Sequence, residues 1–301
     1  AVVRAVLADG ETRSWRTRFV VDASGRDTLL AKKFKSKQKN PDHNSTALFG
    51  HFRNARRLQG KREGNISICW FEHGWFWFIP LADGTTSVGA VCWAYYLKAR
   101  DKPLKEYFFD TIAMCPELND RLRNATLVDD AVHATGNFAY LSTHATGDRY
   151  LMLGDAFTFI DPMFSSGVFL AMQSAFDGAE VVAAALDRPA ELPAARRALE
   201  KRMRAGPRDY SWFIYRVTNP TIRDMFMHPK NVFKVKQGLM SLLAADLQHG
   251  LRYRLSLVMF KAIYYFVSVL NWRRTYAGWQ RHRLNIRDMG PLKGETILKA
   301  D

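Results

Sequence analysis

Residues 150–172, YLMLGDAFTFIDPMFSSGVFLAM, decide the fold, because an apolar run, a polar loop and a helical pattern follow one another there. Tyr150–Leu153 predicts a buried strand. Beyond Gly154-Asp155 the period becomes that of a helix ending near Leu186, with a stripe formed by Val168, Met172, Ala175 and Ala179. Open α/β sheets bind ligands at the carboxyl ends of their strands, where Asp155 could accept hydrogen bonds from hydroxyl groups. The alternative is an ordinary Gly-Asp turn.

The loop Phe159–Val168 is a second indicator of a binding site. Pro162 stiffens the turn, and Ser165, Ser166 and Gly167 fall where the helix begins. Backbone N–H groups at a helix start have no partner within the helix, so they can hold an anion. The alternative is that a serine simply caps the helix.

The remaining pattern predicts an α/β (α+β) protein in which one sheet is interrupted by a β-rich insertion. The chain opens with two predicted strands joined by the Asp9-Gly10 turn, the second being Arg18–Val21. Further strands are predicted near residues 47–52, 65–71, 74–81, 85–93 and 126–133, with a turn at 82–84 and a helix at 104–114. Everything after Leu192 is predicted to be helical, with breaks at Gly206-Pro207 and Asn219-Pro220.

These patterns divide the chain into three predicted domains. Residues 1–30 and 146–190 form the first, residues 31–145 form an inserted β-rich domain, and residues 191–301 form a C-terminal helical region.

The composition excludes a disordered chain and points to an anionic partner. Hydrophobic residues make up 48% of the chain and charged residues 24%, as in packed globular proteins. The net charge is +15, and residues 201–301 hold 19 Lys and Arg against 6 Asp and Glu. The excess fits a phosphate-bearing cofactor, an acidic carrier protein, anionic lipid or nucleic acid, and it also fits a solvated basic helix face.

The cysteines and the apolar runs bear on location. Cys69, Cys92 and Cys115 lie in apolar neighbourhoods, far along the chain from any paired Cys or His, which predicts a reducing compartment and no metal site. No uninterrupted apolar run reaches about 18 residues. The nearest, Leu255–Leu270, contains Lys261. We therefore expect a cytoplasmic protein and leave contact with a membrane surface open.

A third indicator is the strand Trp75-Phe76-Trp77-Phe78-Ile79-Pro80, in which Trp75, Trp77 and Ile79 share one face. Taken alone, such a strand is typical of a sheet core. Pro80 limits the extension of the ladder because it has no N–H to donate.

Together the three elements resemble the flavin-dependent halogenases. Trp75-x-Trp77-x-Ile79-Pro80 matches the WxWxIP signature of that family, and Phe159-x-x-Pro162-x-x-Ser165-x-Gly167 matches its second signature. Asp22-Ala23-Ser24-Gly25-Arg26 and Gly154-Asp155 are similar to the two FAD-contacting segments that the family shares with aromatic hydroxylases. The resemblance spans residues 15–190. It implies an FAD-binding Rossmann-like domain with an inserted antiparallel substrate domain and a C-terminal helical region.

The resemblance also implies an activity. Reduced FAD from a separate flavin reductase, together with dioxygen, would oxidise chloride or bromide to hypohalous acid, which halogenates an electron-rich phenol, pyrrole or indole. FAD would contact Asp22, Ser24, Gly25, Gly154, Asp155 and Pro162. Halide would bind at Ser165, Ser166 and Gly167, and the tryptophan pair would lie near the flavin.

Two features depart from the family pattern. The GxGxxG loop that seats the FAD pyrophosphate occurs nowhere in the chain, and the family's tunnel lysine belongs to the same upstream region. We therefore expect roughly a hundred N-terminal residues to be missing. Phe164 replaces the glutamate of tryptophan halogenases, so the loop is more similar to halogenases of phenols and pyrroles, some of which act on carrier-bound substrates. The basic tail, including Arg273 and Arg274, would complement an acidic carrier.

Two other functions stay open. One is an FAD-dependent monooxygenase or oxidoreductase without halogenating activity. The other is a non-enzymatic protein whose basic helices, with Trp272, Tyr276 and Trp279, bind a membrane or nucleic acid. Because the excess charge lies in a tail attached to a flavoenzyme-like sequence, we do not expect nucleic acid to be the partner.

The missing pyrophosphate loop leads to a prediction. We expect the 301-residue chain by itself to bind FAD weakly and to release no halogenated product, because the helix N-terminus that holds the pyrophosphate is absent. Fluorescence titration with FAD checks this. Tight stoichiometric binding would contradict it.

Overall fold

A computed structural model describes residues 1–136, 139–216, 219–227, 235–243 and 250–287. Within these residues the strands lie between residues 2 and 159, with four short α-helices among them, and the described elements from residue 167 onward are helices. The strands are β1 Val2–Val6, β2 Thr12–Arg16, β3 Val20–Asp22, β4 Lys37–Lys39, β5 Ser45–Arg53, β6 Ser67–Phe71, β7 Gly74–Pro80, β8 Thr86–Trp93, β9 Thr126–Leu127, β10 His133–Gly136, β11 Tyr140–Ser142, β12 Thr146–Gly147, β13 Tyr150–Met152 and β14 Thr158–Phe159. The helices are α1 Leu29–Lys33, α2 Ala94–Lys98, α3 Leu104–Ala113, α4 Pro116–Arg121, α5 Gly167–Asp187, α6 Leu192–Ile214, α7 Pro220–Met227, α8 Val235–Leu243, α9 Gly250–Leu270 and α10 Trp272–Arg287.

The chain forms two compact units, each built from several segments. The first contains residues 1–40, 139–214 and 231–260, and the second contains residues 41–138, 215–230 and 261–301. The predicted division at residues 30, 145 and 190 stays a prediction. The helices after residue 190 contribute to both units.

A small parallel sheet organises the first unit. β3 pairs in parallel with β13, so that Tyr150, Leu151 and Met152 lie opposite Val20, Val21 and Asp22. The N–H of Leu153 donates to the carbonyl of Asp22 over 2.9 Å and closes the carboxyl end of this pair. Both strands therefore end at the same edge, which brings the two predicted ligand segments together.

Helix α5 packs on this sheet through its small residues. Ser174, Gly178, Val181 and Ala184 are its buried residues. A Cβ atom at Gly178 would lie 2.8 Å from Leu153 Cδ2, so glycine lets the helix approach the sheet without displacing that side chain. The stripe predicted from the period lies instead on the exposed side, where Val168 is 74% and Met172 60% exposed.

The second unit contains an antiparallel sheet with the order β10-β5-β8-β7-β6 and with β9 paired to β5. Alternate residues of these strands face a core with α3 and α4, as period-2 alternation requires. Phe76, Phe78 and Val88 are fully buried there, against Phe108 and Ile112 of α3. The predicted hairpin at 82–84 is confirmed: Asp83 Oδ1 accepts the Thr85 N–H over 2.9 Å, and β7 pairs with β8.

Three local expectations were wrong. The partner of β1 across the Asp9-Gly10 turn is β2 rather than Arg18–Val21, because β1 and β2 are exposed on both faces and apolar alternation carries no information there. The strand expected at 126–133 is broken where Asp129 and Asp130 adopt positive φ. α6 runs through Gly206-Pro207, and the buried side chains of Met203 and Tyr210 on either side hold it in place.

Cys69 and Cys115 are far apart in sequence but share a hydrogen bond inside the core of the second unit. This bond lowers the pKa of the Cys115 thiol, burial opposes the effect, and the backbone N–H groups of Leu118 and Glu117 add to it. The same bond raises the pKa of Cys69, as does burial. The three cysteines are free and buried.

By length and composition, one helix among the described residues could cross a membrane. The search for an uninterrupted apolar run misses it because it contains charged residues. It is Gly167–Asp187, whose mean hydropathy is 1.3 in its most apolar window although it contains Asp177 and Glu180. The segments Leu255–Leu270 and Trp272–Ile286 pass the same test only as a pair bent by 107°. Core helices of water-soluble proteins also pass, so this is weak support for a span.

The contact between the strand end and α5 leads to a stability prediction. Gly154 has φ +52°, and a Cβ there would lie 3.0 Å from Ala171 Cβ. We expect Gly154→Ala to lower the free energy of unfolding by about 2–4 kcal/mol, from left-handed strain and overpacking. Urea denaturation measures the change. Gly64→Ala is the control, because its Cβ would meet nothing within 4 Å, and a loss as small as that of the control would contradict the prediction.

Candidate functional site

A cavity of about 400 Å³ opens in the first unit and falls in the size range of small-molecule sites. Gly154 and Asp155 line it beside the loop from Thr158 to Val168. α5 and α6 complete its walls with Leu170, Gln173, Ser174, Asp177, Arg202, Met203, Tyr210 and Ile214. The two segments that sequence reasoning selected separately therefore border one cavity.

The loop is shaped by local interactions. Asp161 Oδ1 accepts the Met163 N–H over 3.0 Å, and Pro162 begins a single 3₁₀ turn that ends at Phe164. Ser165 follows with φ 51°, in the left-handed region that serine seldom adopts. This reversal redirects the chain into α5, so the start of that helix borders the cavity.

The first turn of α5 supplies the donors for an anion. Ser166 occupies the N-cap position, but its side chain makes no capping hydrogen bond. The first N–H groups of a helix have no intrahelical acceptor, and the helix dipole makes this end electropositive. A Cβ at Gly167 would meet nothing within 4 Å, so the backbone is open to a ligand at this point. The alternative, a serine side chain that caps the helix, is therefore not observed at Ser166.

Asp155 is half-buried and lines the same cavity as these donors. Burial raises the pKa of its carboxyl group, and the positive charge of Arg26 partly offsets the effect. The Tyr140 hydroxyl donates to the Asp155 backbone carbonyl over 2.6 Å. Ser174 Oγ accepts the Gly154 N–H over 3.0 Å. These two hydrogen bonds fix the backbone of Gly154 and Asp155 at the edge of the cavity.

In the segment after β3, the described hydrogen bonds mainly hold the local backbone. Asp22 is buried, and its two carboxylate oxygens accept N–H groups of Ser24 over 2.9 Å and Leu30 over 2.7 Å. Ser24 Oγ accepts the Leu29 N–H over 3.1 Å. Gly25, with φ +61°, turns the chain without meeting neighbours. Asp22 thus holds the turn and the start of α1, and its direct contact with a cofactor stays a prediction.

Four side chains near this edge were not singled out from the sequence. The Arg202 Nε pairs with Asp177 Oδ1 over 3.2 Å on the cavity wall. Lys37 Nζ lies 3.8 Å from the centre of the Tyr140 ring and donates to Thr28 Oγ1. Burial lowers the pKa of Lys37, followed by repulsion from Lys32 and Arg26. Of these features, only the i, i+4 spacing of Gln173 and Asp177 could be read from the sequence, where it predicts two polar side chains on one face of a helix.

The tryptophan motif lies in the second unit, on the sheet face opposite to its main core. Trp75 is buried, and Trp77 is half-buried with its Nε1 donating to Ser87 Oγ over 3.1 Å. The two indole rings lie 6.2 Å apart. Gly89 on β8 makes room for Trp77, because a Cβ there would lie 2.2 Å from the ring.

The rest of that face is also aromatic. The Phe49 ring lies 6.0 Å from Trp77 and 5.3 Å from His133. Ile79 is half-buried, and β7 ends at Pro80 as expected from its missing N–H. Among the residues that the structure describes, no cluster of three or more His, Cys, Asp or Glu side chains could hold a metal.

The sequence is similar to those of known halogenases. The family model described as tryptophan halogenase matches residues 2–224. The tryptophan 2-halogenase of Chondromyces crocatus is 30% identical over 169 residues, which are 55% of this chain and 32% of that protein. The 1H-pyrrole-2-carbonyl-[peptidyl-carrier protein] chlorinase of Pseudomonas fluorescens is 31% identical over 166 residues, 53% of this chain and 37% of that protein.

Solved structures of flavin-dependent halogenases are similar to this chain in fold. The myxobacterial chondrochloren halogenase CndH, an FAD-dependent halogenase, superposes with a TM-score of 0.66 at 31% identity over 71% of this chain and 50% of that chain. The flavin-dependent brominase Bmp2 gives a TM-score of 0.66 at 25% identity over 85% of this chain and 65% of that chain.

The chain spans about a third of the length of these two curated relatives. The matched segment contains both signature loops and the two strand ends that meet beside the cavity. The chain belongs to the tryptophan halogenase family of flavin-dependent halogenases and has the α/β FAD-binding fold of that family.

Proposed function

We propose that the whole protein is an FAD-dependent halogenase that transfers chlorine or bromine to an electron-rich aromatic compound of the phenol, pyrrole or indole type. The observation that carries the proposal is the cavity beyond the carboxyl end of β13, which is lined both by Asp155 and by the electropositive start of α5. A carboxyl group suits ligand hydroxyls, and unpaired N–H groups suit an anion. The Trp75–Pro80 signature supplies neither group, and the Phe159–Gly167 signature is proposed to supply the N–H groups of the anion site.

The residues at this cavity fit part of FAD. Gly154 has φ +52° and lets the strand end turn closely beneath α5, whereas a Cβ at Gly167 would meet nothing within 4 Å, so a ligand can approach the backbone there. Asp155 would bind hydroxyl groups of the ribityl chain, and Pro162 would border the ring system. Ser24 and Gly25 are proposed as neighbours of the same cofactor. When bound, reduced FAD supplies the activation of dioxygen from which the oxidant for halide arises.

The chain's own contribution at the halide is electrostatic. Backbone N–H groups at Ser166 and Gly167 would hold chloride or bromide, since they are preorganised and carry partial positive charge. Ser165 would orient this turn through its left-handed backbone. The apolar residues Leu170 and Ile214 on the cavity wall would exclude water from the halide.

The substrate is proposed to meet the aromatic face of the second unit. Trp77, Phe49 and His133 present partly buried rings to which an aromatic compound can stack. A pyrrole ring held by a carrier protein is the substrate of one relative, which supports a small heteroaromatic or phenolic substrate, free or carrier-bound. The +13 net charge of residues 201–301 favours an acidic carrier.

The remaining components follow from this chemistry. A flavin reductase that acts by diffusion would supply reduced FAD, and a cytoplasmic location is proposed because reduced cofactors and free thiols persist there. A monooxygenase is the rival activity. It would insert oxygen into the aromatic compound and would require neither chloride nor bromide.

The test uses the full-length protein with FAD, a flavin reductase and a phenolic or pyrrolic substrate. Ser166→Asp places a carboxylate at the N-cap, where it suits the helix but occupies the anion site. Two like charges 4 Å apart repel by about 4 kcal/mol at a surface-like dielectric, so we expect the halide requirement to rise roughly a hundredfold or more. Mass spectrometry of the product at graded bromide concentrations measures it.

Ser166→Asn is the matched control, because asparagine has the same shape without the charge. It should need no more than a few times the wild-type halide concentration, and FAD binding should be the same in both variants. Equal halide dependence of the two variants would contradict the halide site. A hydroxylated product formed without halide would identify a monooxygenase instead.

A further inference from the structure

The junction between α9 and α10 exposes a cluster of large apolar side chains. Phe266 is 67%, Val269 72% and Leu270 66% exposed at the end of α9, and Trp272 is 61% exposed at the start of α10. The two helices bend by 107° at this point. These four exposed side chains cluster at the bend, and we call them the apolar corner.

The outer side of α10 continues this surface. Trp272, Tyr276, Trp279 and Arg283 follow one another at i, i+4, i+7 and i+11, so they form one stripe along the helix. Tyr276 and Trp279 are 51% and 46% exposed, and their rings lie 5.7 Å apart. The Arg283 guanidinium lies 4.4 Å from the centre of the Trp279 ring, and that of Arg273 lies 5.5 Å from Trp272.

The inner side of α10 is fixed, which determines the direction of the stripe. The buried Asn285 accepts the Ala94 N–H over 2.8 Å and donates to the Asn44 carbonyl over 2.5 Å. Thr275 lies 3.1 Å from Thr221 between their hydroxyl oxygens. Since these contacts all lie on one side of the helix, the aromatic stripe faces away from the second unit.

The charge of the segment has one sign. Residues 250–287 contain eight Lys and Arg and neither Asp nor Glu. Arg274 and Arg281 contact Asp224 and Glu72 elsewhere in the second unit. Arg273 and Arg283 lie over aromatic rings instead, so that their positive charges flank the exposed stripe.

We propose that the apolar corner and the aromatic stripe of α10 dock the protein on an anionic lipid surface. Trp and Tyr prefer the headgroup level of a bilayer, Arg pairs with lipid phosphates, and exposed Phe, Val and Leu enter the acyl boundary. Helices that lie in the interface combine these features. A nucleic acid could bind the arginines and stack on the rings, but it has no apolar surface to cover the exposed aliphatic side chains. An acidic protein is favoured only by the positive charge.

The test is co-sedimentation of the full-length protein with vesicles. Vesicles of phosphatidylcholine mixed with phosphatidylglycerol should bind the protein, and vesicles of phosphatidylcholine alone should bind it far less. Arg273→Glu with Arg283→Glu should weaken binding roughly 25-fold or more, because each basic residue near an anionic leaflet contributes about fivefold. Phe266→Ser with Leu270→Ser should weaken it about tenfold or more by removing apolar burial.

Matched controls lie on the exposed hairpin of β1 and β2. Arg4→Glu with Arg16→Glu makes the same change in net charge, and Val6→Ser with Trp15→Ser removes comparable exposed apolar surface. Both controls should bind vesicles as the wild type does. Loss of binding in the charge control as large as in the arginine variant would overturn the proposal. Binding of an acidic protein or DNA without binding of anionic vesicles would overturn it too.

Discussion

The parallel pairing of β3 with β13 is the constraint on which the site depends. It is only three residues long, yet it makes two distant segments end at one edge, and the Leu153 N–H donates to the Asp22 carbonyl at that edge. Asp22 then caps α1, while Gly154 turns the chain beneath α5. Without this register the carboxyl group of Asp155 would not border the cavity that the start of α5 also borders.

The cavity is lined by two kinds of polar group, a half-buried carboxyl group and the N–H groups at a helix start, and burying either kind without a partner is unfavourable. Burial raises the pKa of Asp155 and the positive charge of Arg26 opposes the effect, while the Ser166 side chain does not cap the first turn of α5. A bound anion and a hydroxyl-bearing ligand would satisfy both. Such unsatisfied polarity is common at functional sites, where the structure is stable enough elsewhere to maintain it.

The sequence predicted the elements with strong periodicity and missed features that depend on tertiary contacts. The hairpin at 82–84, the helix near 104–114 and the long helix after Gly154-Asp155 follow from turn chemistry and period, and all three are present. The first hairpin was mispaired because β2 is polar on both faces. The stripe of α5 was correctly periodic but exposed, because Ser174 and Gly178 rather than the larger residues meet the sheet.

The same limit applies to the site. Signature residues located the halide loop and Gly154-Asp155, and the structure brings both to one cavity. Arg202, Lys37 and Tyr140 carry no local signal, because their roles arise from packing between segments far apart in sequence. The Cys69–Cys115 contact was hidden for the same reason.

The position of a bound bromide ion tests the proposed site most directly. Anomalous diffraction from crystals of the full-length protein grown with FAD and bromide would locate it. We predict a bromide peak in hydrogen-bond contact with the backbone N–H groups at Ser166 and Gly167, beside the cavity that Asp155 lines. An ordered bromide bound next to the flavin but away from this turn, with the turn free of halide, would contradict the assignment.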